Sequence, residues 1–147
     1  MLKYKIFKKH KNEDSSSWII IIKGTYMKKI LFLSTYGDFL ATFEYSNITI
    51  CRSLGARIYC ASNFNNQKYN LKTSKLDDLG VIKYELEFDR KPFSKKNLYS
   101  FAKLKKLILK EHIDIIDCHN AVVGAYARIA AKPVSYTHLT LPTICSV

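Results

Sequence analysis

The chain has 147 residues, with 24 lysines and arginines against 12 aspartates and glutamates, which gives a formal net charge of +12 at pH 7. It is 48% apolar and 13% aromatic, a composition that supports a buried core and excludes disorder over most of the chain. No apolar run approaches the roughly 18–20 residues of a membrane span, so no transmembrane segment is predicted.

Both ends of the chain differ in composition from the middle. Residues 1–26 join a lysine-rich segment to the short apolar run Trp18–Ile22, without the longer apolar core of a signal peptide. They are either a basic arm with a short edge strand or, in the interpretation we favour, a leader that precedes the true start, because translation begins at Met27. Residues 133–147 contain Val134–Thr143, which resembles a translated sequencing adapter; the alternative is a genuine threonine-rich strand. We therefore expect a native domain over 27–132, with the gene cut off near its end.

Between these ends, patterns typical of strands and helices alternate. The predicted elements, in chain order, are a strand Ile30–Ser34, a loop Thr35–Thr42, a helix Phe43–Leu54 ending at Gly55, a strand Ala56–Ala61, a polar connection Ser62–Lys75, a helical turn Leu76–Gly80, a strand Val81–Phe88, a helix beginning after Ser94, a strand Ile113–Asp117 and a helix Ala121–Ala131. Such alternation predicts an α/β fold: a parallel sheet with helices on both faces.

The helix after Ser94 has the clearest pattern. Ser94 is expected to cap it, with Phe93 and Leu98 packed together as a hydrophobic staple. Its apolar positions recur at helical spacing at Leu98, Phe101, Leu104, Leu107 and Ile108. Its lysines form either a solvated face or a surface attracted to an anionic membrane. In the earlier helix, Phe43, Ile50 and Leu54 are expected on one side.

Ligands of parallel α/β sheets bind at the carboxyl ends of the strands, near the point where the strand order reverses. This rule selects the loop Thr35–Thr42 and the segment Cys118–Val122. The candidate substrate-binding residues are Tyr36, Gly37, His119 and Asn120. His119 could hydrogen-bond a sugar hydroxyl or a phosphate, or satisfy a loop carbonyl.

Several chemical motifs are missing from the sequence. The first loop offers Gly37 alone where a dinucleotide fingerprint needs GxGxxG, and no GxxxxGK[ST] loop occurs. The four cysteines form no CxxC pair, which argues against a zinc framework and favours a reducing, cytoplasmic compartment. No catalytic residue and no metal ligand is assigned.

Five segments in order resemble the N-terminal domain of bacterial family-4 glycosyltransferases of the GT-B type, which build capsular and extracellular polysaccharides. They are Met27–Ser34, Leu79–Ile82, Arg90–Ser94, Ile113–His119 and the helix with Gly124 and Ala127–Ala131. The most specific is Ile113–His119, because the family's strand ends in an Ile-Ile-His-Cys-His-type sequence before a glycine and an Ala/Arg-rich helix.

The resemblance implies a Rossmann-like acceptor domain of a two-domain, retaining enzyme that generally needs no metal or other cofactor. A second domain, absent from this chain, would bind the nucleotide-sugar donor, so the chain alone is expected not to transfer sugar. The acceptor would be a glycan, often lipid-linked, at the inner membrane face. His119 matches the second histidine of the family's pattern, where it would face the cleft between the domains. Asp117 stands where the family often has the first histidine, and Glu44–Ser46 stands near where many members have a histidine or a proline; both are departures from the family's acceptor contacts.

Two other classes remain as alternatives. One is a stand-alone Rossmann-like module that binds a nucleotide or has a regulatory role. The other is a basic nucleic-acid-binding protein, which the sequence disfavours because its aromatic residues occupy core-like positions and no groove-reading motif is present.

Overall fold

The computed structural model describes residues 27–65 and 73–132. The predicted leader 1–26, the predicted tail 133–147 and residues 66–72 of the polar connection lie outside the described residues. The elements are β1 (Lys29–Tyr36), α1 (Gly37–Thr42), α2 (Tyr45–Ser53), β2 (Arg57–Asn63), α3 (Lys75–Asp78), β3 (Ile82–Glu85), α4 (Lys95–Glu111), β4 (Ile115–Cys118) and α5 (Ala121–Ala131).

The four strands form one parallel sheet in the order β3-β2-β1-β4. β1 is central and pairs on both sides, so that Leu31 lies beside Tyr59 of β2 and beside Ile116 of β4. Successive strands joined through helices give this parallel arrangement. The α/β prediction is therefore confirmed.

The two faces of the sheet carry separate apolar cores. Side chains alternate between the faces of a strand, and accordingly Leu31 and Leu33 of β1 pack with α4 and α5, whereas Phe32 packs on the opposite face with α1, α2 and α3. Each core is built from fully buried aliphatic and aromatic residues. Helices cover both faces, as predicted.

The capping prediction for α4 is confirmed, but the predicted staple is wrong. The Ser94 hydroxyl accepts a hydrogen bond from the backbone N–H of Lys96 at 3.3 Å. Phe93 is 99% exposed and Leu98 is 68% exposed, so neither side chain packs on the helix start. The buried stripe begins instead at Asn97, whose amide satisfies backbone groups of the preceding segment.

The region between β1 and β2 also differs from the sequence prediction. The predicted loop Thr35–Thr42 is the end of β1 followed at once by the helix α1. In α2, Ile48 and Cys51 face the core, whereas Phe43, Ile50 and Leu54 are exposed. The stop at Gly55 is confirmed, because its φ of +84° lies in the left-handed region that glycine adopts readily.

Within residues 27–65 and 73–132, no helix has the length and apolar character needed to cross a bilayer.

Candidate functional site

The structure brings the ends of β1 and β4 together at the carboxyl edge of the sheet. The chain moves from β1 to β2 and β3 on one side and then returns to place β4 on the other side of β1. The backbone N–H of His119 donates to the carbonyl of Leu33 at 3.1 Å, and Nδ2 of Asn120 donates to Oγ1 of Thr35 at 3.0 Å. The candidate residues after both strands therefore lie at the point where ligands bind in such sheets.

His119 is enclosed at this edge, with a side chain only 6% exposed. Its ring lies parallel to that of Phe32, with centroids 6.4 Å apart, and is tilted against Phe39 at 5.6 Å. Nδ1 lies 3.4 Å from Oε1 of Glu44, and Nε2 lies 3.6 Å from Oδ2 of Asp117. An imidazole is thus held between two carboxylates. We call Glu44, Asp117 and His119 the carboxylate–histidine cluster.

The carboxylates change the protonation of the cluster. Burial by itself lowers the pKa of His119, but the contact with Asp117 and the negative charges of Asp117 and Glu44 outweigh it, so this pKa is raised overall. Burial raises the pKa of Glu44, against the lowering by His119 and by the Asn47 hydrogen bond. His119 and Glu44 therefore retain their protons at higher pH than the isolated side chains would.

Sequence reasoning treated Glu44 and Asp117 as departures from a family pattern, not as partners of His119. Asp117 could have been found, because residues two apart on a strand share a face. Glu44 follows α1 and precedes α2, where Nδ2 of Asn47 donates to its Oε2 at 2.7 Å. No sequence spacing connects Glu44 to His119, because their proximity depends on α1 starting directly after β1.

Asn120 and Gly37 have clear structural roles. Oδ1 of Asn120 accepts the N–H of Val122 at 2.9 Å, so Asn120 caps α5. Gly37 lies against the ring of Phe64, which an added Cβ would overlap. Substrate contact by either residue stays a prediction.

Tyr36 lies in a different group, in a shallow groove of about 200 Å³ at the same edge. The Arg90 guanidinium lies 5.6 Å from the centroid of the Tyr36 ring. The groove is lined by Tyr36, Asn63, Glu87, Phe88, Asp89, Arg90 and Lys96. It offers an aromatic face beside planar polar groups of both charges, which suits an uncharged ligand rich in hydroxyl groups.

A parallel sheet with enclosed polar residues at its topological switch point defines a Rossmann-like α/β domain. The chain belongs to the Glycosyl transferase 4-like family, whose model matches residues 29–143. The match therefore extends eleven residues beyond Lys132.

The similarity extends to a curated protein and to solved structures. The chain is 30% identical over 105 residues to the "Putative glycosyltransferase EpsD" of Bacillus subtilis (strain 168), covering 71% of this chain and 25% of EpsD. Among solved structures, MurG of Acinetobacter baumannii matches with a TM-score of 0.53 at 11% identity, over 74% of this chain and 33% of MurG. GalB, the 4-carboxy-2-hydroxymuconate hydratase of Pseudomonas putida KT2440, matches with a TM-score of 0.52 at 14% identity, over 79% of this chain and 63% of GalB. These structures bear on the fold alone.

Proposed function

We propose that this chain forms the acceptor-binding part of a glycosyltransferase that moves a sugar from a nucleotide-sugar to a glycan acceptor. The observation that carries the proposal is the family match over residues 29–143 in a chain whose enclosed histidine, His119, lies at the ligand-binding edge of the sheet. The chain spans about a quarter of the length of EpsD, and in the proposal a second domain binds the donor.

Acceptor recognition is proposed for the edge that holds His119 and the Tyr36 groove. A sugar presents hydroxyl groups that donate and accept hydrogen bonds, and the groove offers carboxylates, an amide and a guanidinium beside an aromatic ring. His119 supplies a ring nitrogen close by in the fold, between the ends of β1 and β4. The finer features that the family resemblance implies are retention of configuration, a lipid-linked acceptor and a role in surface polysaccharide synthesis.

The test is a ligand titration of the chain, followed by amide chemical shifts in solution NMR. Short glycans are expected to shift the signals of Tyr36, Arg90 and His119, whereas nucleotide-sugars leave them unchanged because the donor binds elsewhere. Arg90→Gln is expected to weaken glycan binding at least tenfold, and Arg57→Gln, which removes the same charge from the start of β2, is the control. Tight binding of nucleotide-sugars with no response to glycans would contradict the proposal and favour a nucleotide-binding module.

We further propose that α4 places the domain against an anionic membrane. The apolar side chains Leu98 and Leu109, eleven positions apart and therefore on one side of the helix, are exposed, as is Phe93 just before it. Six exposed lysines share the solvent side of this helix with them; they are Lys95, Lys96, Lys103, Lys105, Lys106 and Lys110. Exposed apolar residues within a basic helix face suit the interface of an anionic bilayer.

Vesicle co-sedimentation tests the membrane proposal. The chain is expected to bind vesicles containing phosphatidylglycerol and not vesicles of phosphatidylcholine alone. Lys106→Gln is expected to weaken binding by about fivefold, since one basic residue near the lipid contributes about 1 kcal/mol. Lys75→Gln, which removes the same charge from α3 on the opposite face of the sheet, is the control. Equal effects of the two variants would contradict the proposed orientation.

A further inference from the structure

The carboxylate–histidine cluster has an unsatisfied ring nitrogen. Nε2 of His119 has no hydrogen-bond partner among the described residues, although the His119 side chain is only 6% exposed. Burying a polar atom without a partner is costly, and such an atom calls for an explanation such as an ion. Nε2 is directed toward Oδ2 of Asp117, 3.6 Å away.

The distance between Nε2 of His119 and the Asp117 carboxylate suits two ligands of one ion better than a direct hydrogen bond. Charge-assisted hydrogen bonds between nitrogen and carboxylate oxygen are about 2.7–2.9 Å long, shorter than the 3.6 Å between Nε2 and Asp117. Two ligands that each lie about 2.0–2.2 Å from a tetrahedral ion are about 3.4 Å apart. One ligand atom from each of Glu44, Asp117 and His119 lies within 4.8 Å of the others.

The two carboxylates lie at opposite nitrogens of the His119 ring. Asp117 faces Nε2 and is 25% exposed, so an ion there can be reached from solvent and can keep open coordination positions. Glu44 faces the opposite nitrogen, Nδ1, at 3.4 Å, and its side chain is only 9% exposed. A carboxylate on the second ring nitrogen is the usual support of a metal-bound histidine, because it fixes the tautomer and the ring orientation.

We propose that the cluster is a binding site for a divalent transition-metal ion, with Nε2 of His119 and the Asp117 carboxylate as ligands and Glu44 as the positioning residue. An imidazole with a carboxylate suits Zn²⁺ and its neighbours in the first transition row. Water or substrate oxygens complete the coordination. The site shares His119 with the proposed acceptor edge, but metal binding itself needs neither donor nor acceptor.

Titration of the full chain with Co²⁺ and Zn²⁺, by visible absorption and calorimetry, tests this site. One equivalent of Co²⁺ is expected to bind without a sulfur-to-cobalt charge-transfer band, because neither proposed ligand is a thiol. His119→Gln and Asp117→Asn are each expected to weaken binding at least tenfold, and Glu44→Gln by 10- to 100-fold. His112→Asn, at the exposed histidine that ends α4, is the matched control and retains wild-type binding.

Absence of Co²⁺ and Zn²⁺ binding by the wild-type chain, or wild-type binding by His119→Gln, would overturn the proposal. A second measurement covers the case in which a cluster variant fails to fold. Bound Co²⁺ is paramagnetic, and in the wild-type chain it is expected to broaden or shift the amide signals of His119 and Asn120 but not that of His112. Effects centred on any other histidine, or on the cysteines, would equally overturn the site. The glycan titration is carried out on metal-free protein, so failure of metal binding and failure of glycan binding are observed separately.

Discussion

The buried polar side chain of Asn97 determines which side of the helix α4 packs inward. It is fully buried at the start of α4. Its Oδ1 accepts the N–H of Asp89 at 2.6 Å, and its Nδ2 donates to the carbonyls of Lys91 at 2.8 Å and Asp89 at 3.1 Å. One side chain thus pairs with three backbone groups of the segment that precedes α4. This pairing explains why Asn97, rather than Leu98, faces inward.

We predict that Asn97→Ala lowers the free energy of unfolding by about 2–4 kcal/mol, because it removes three hydrogen bonds of a fully buried side chain, each contributing about 0.5–1.5 kcal/mol. Urea unfolding followed by circular dichroism measures the change. Leu98→Ala, at the adjacent exposed position, is expected to change the free energy by no more than about 0.5 kcal/mol. A larger loss for Leu98→Ala than for Asn97→Ala would show that the staple, not the amide, stabilises the helix start.

Gly37 is a second residue whose importance is local packing. Because an added Cβ would overlap the ring of Phe64, we predict that Gly37→Ala destabilises the fold by about 1–3 kcal/mol, the usual cost of overpacking. Phe64→Ala removes the obstacle, so the double variant is expected to be less destabilised than the sum of the two single variants. Additive effects in this double-mutant cycle would contradict the packing role.

At the scale of elements, Glu111 joins α4 to two strands. Its carboxylate accepts hydrogen bonds from the hydroxyls of Tyr84 at 3.0 Å and Tyr59 at 3.1 Å. The Tyr84 hydrogen bond, aided by that from Tyr59 and by nearby lysines, lowers the pKa of Glu111 against the opposing effect of burial. A lowered pKa in the folded state means that the stabilisation is present above the ordinary value of 4.5 and is lost as the pH falls through the folded-state value.

We therefore predict that Glu111→Gln is less stable than the wild type by about 1 kcal/mol at pH 7, a figure reduced for the partial exposure of the carboxylate. The difference is expected to shrink as the pH falls from 5 toward 3. Urea unfolding at several pH values measures it. Tyr84→Phe, which removes one donor, is expected to show a weaker pH dependence of the same sign. Parallel pH profiles for wild type and Glu111→Gln would contradict this account.

The elements were predictable from sequence where local signals agree with the global fold. The bounds of α5 follow from its run of small residues, and the start of α4 follows from the Ser94 cap. The buried faces of α2 and α4 were not predictable from apolar spacing. In α4 the inward face is decided by backbone groups that Asn97 must satisfy, and in α2 it depends on the helix α1, which the sequence pattern around Gly37 does not indicate.

The same limit applies to the candidate site. The rule for parallel sheets predicted that His119 lies beside the end of β1. The structure confirms that the carboxyl ends of β1 and β4 lie together. The partner of His119, Glu44, lies 75 positions earlier, between α1 and α2, and approaches His119 only because α1 starts directly after β1 and both helices pack on one face of the sheet. Pairs that meet through tertiary packing leave no periodic signal in a single sequence.

At the scale of the whole molecule, the two cores enclose three thiols. Cys51, Cys60 and Cys118 are free and buried. Burial raises the pKa of Cys51 to about 11 and the pKa values of Cys60 and Cys118 to about 12. Because the thiolate is the reactive form, we predict that iodoacetamide at pH 8 labels these residues on the order of 100-fold more slowly in the native chain than in urea. Mass spectrometry of peptides gives each rate, and rapid native labelling of all three would contradict the enclosed cores.

The central position of β1 has a consequence for the order of events during synthesis. β1 is the first described element, yet its partner β4 lies about 85 positions later, the separation of Lys29 and Asp114, which hydrogen-bond at the edge of this pairing. At about 5–20 residues per second, a ribosome needs roughly 4–17 s to add that length. During this interval β1 has at most one of its two neighbours, and its apolar run stays open on one side. The strand that holds both cores together in the native fold is therefore the segment most dependent on protection while the chain is still growing.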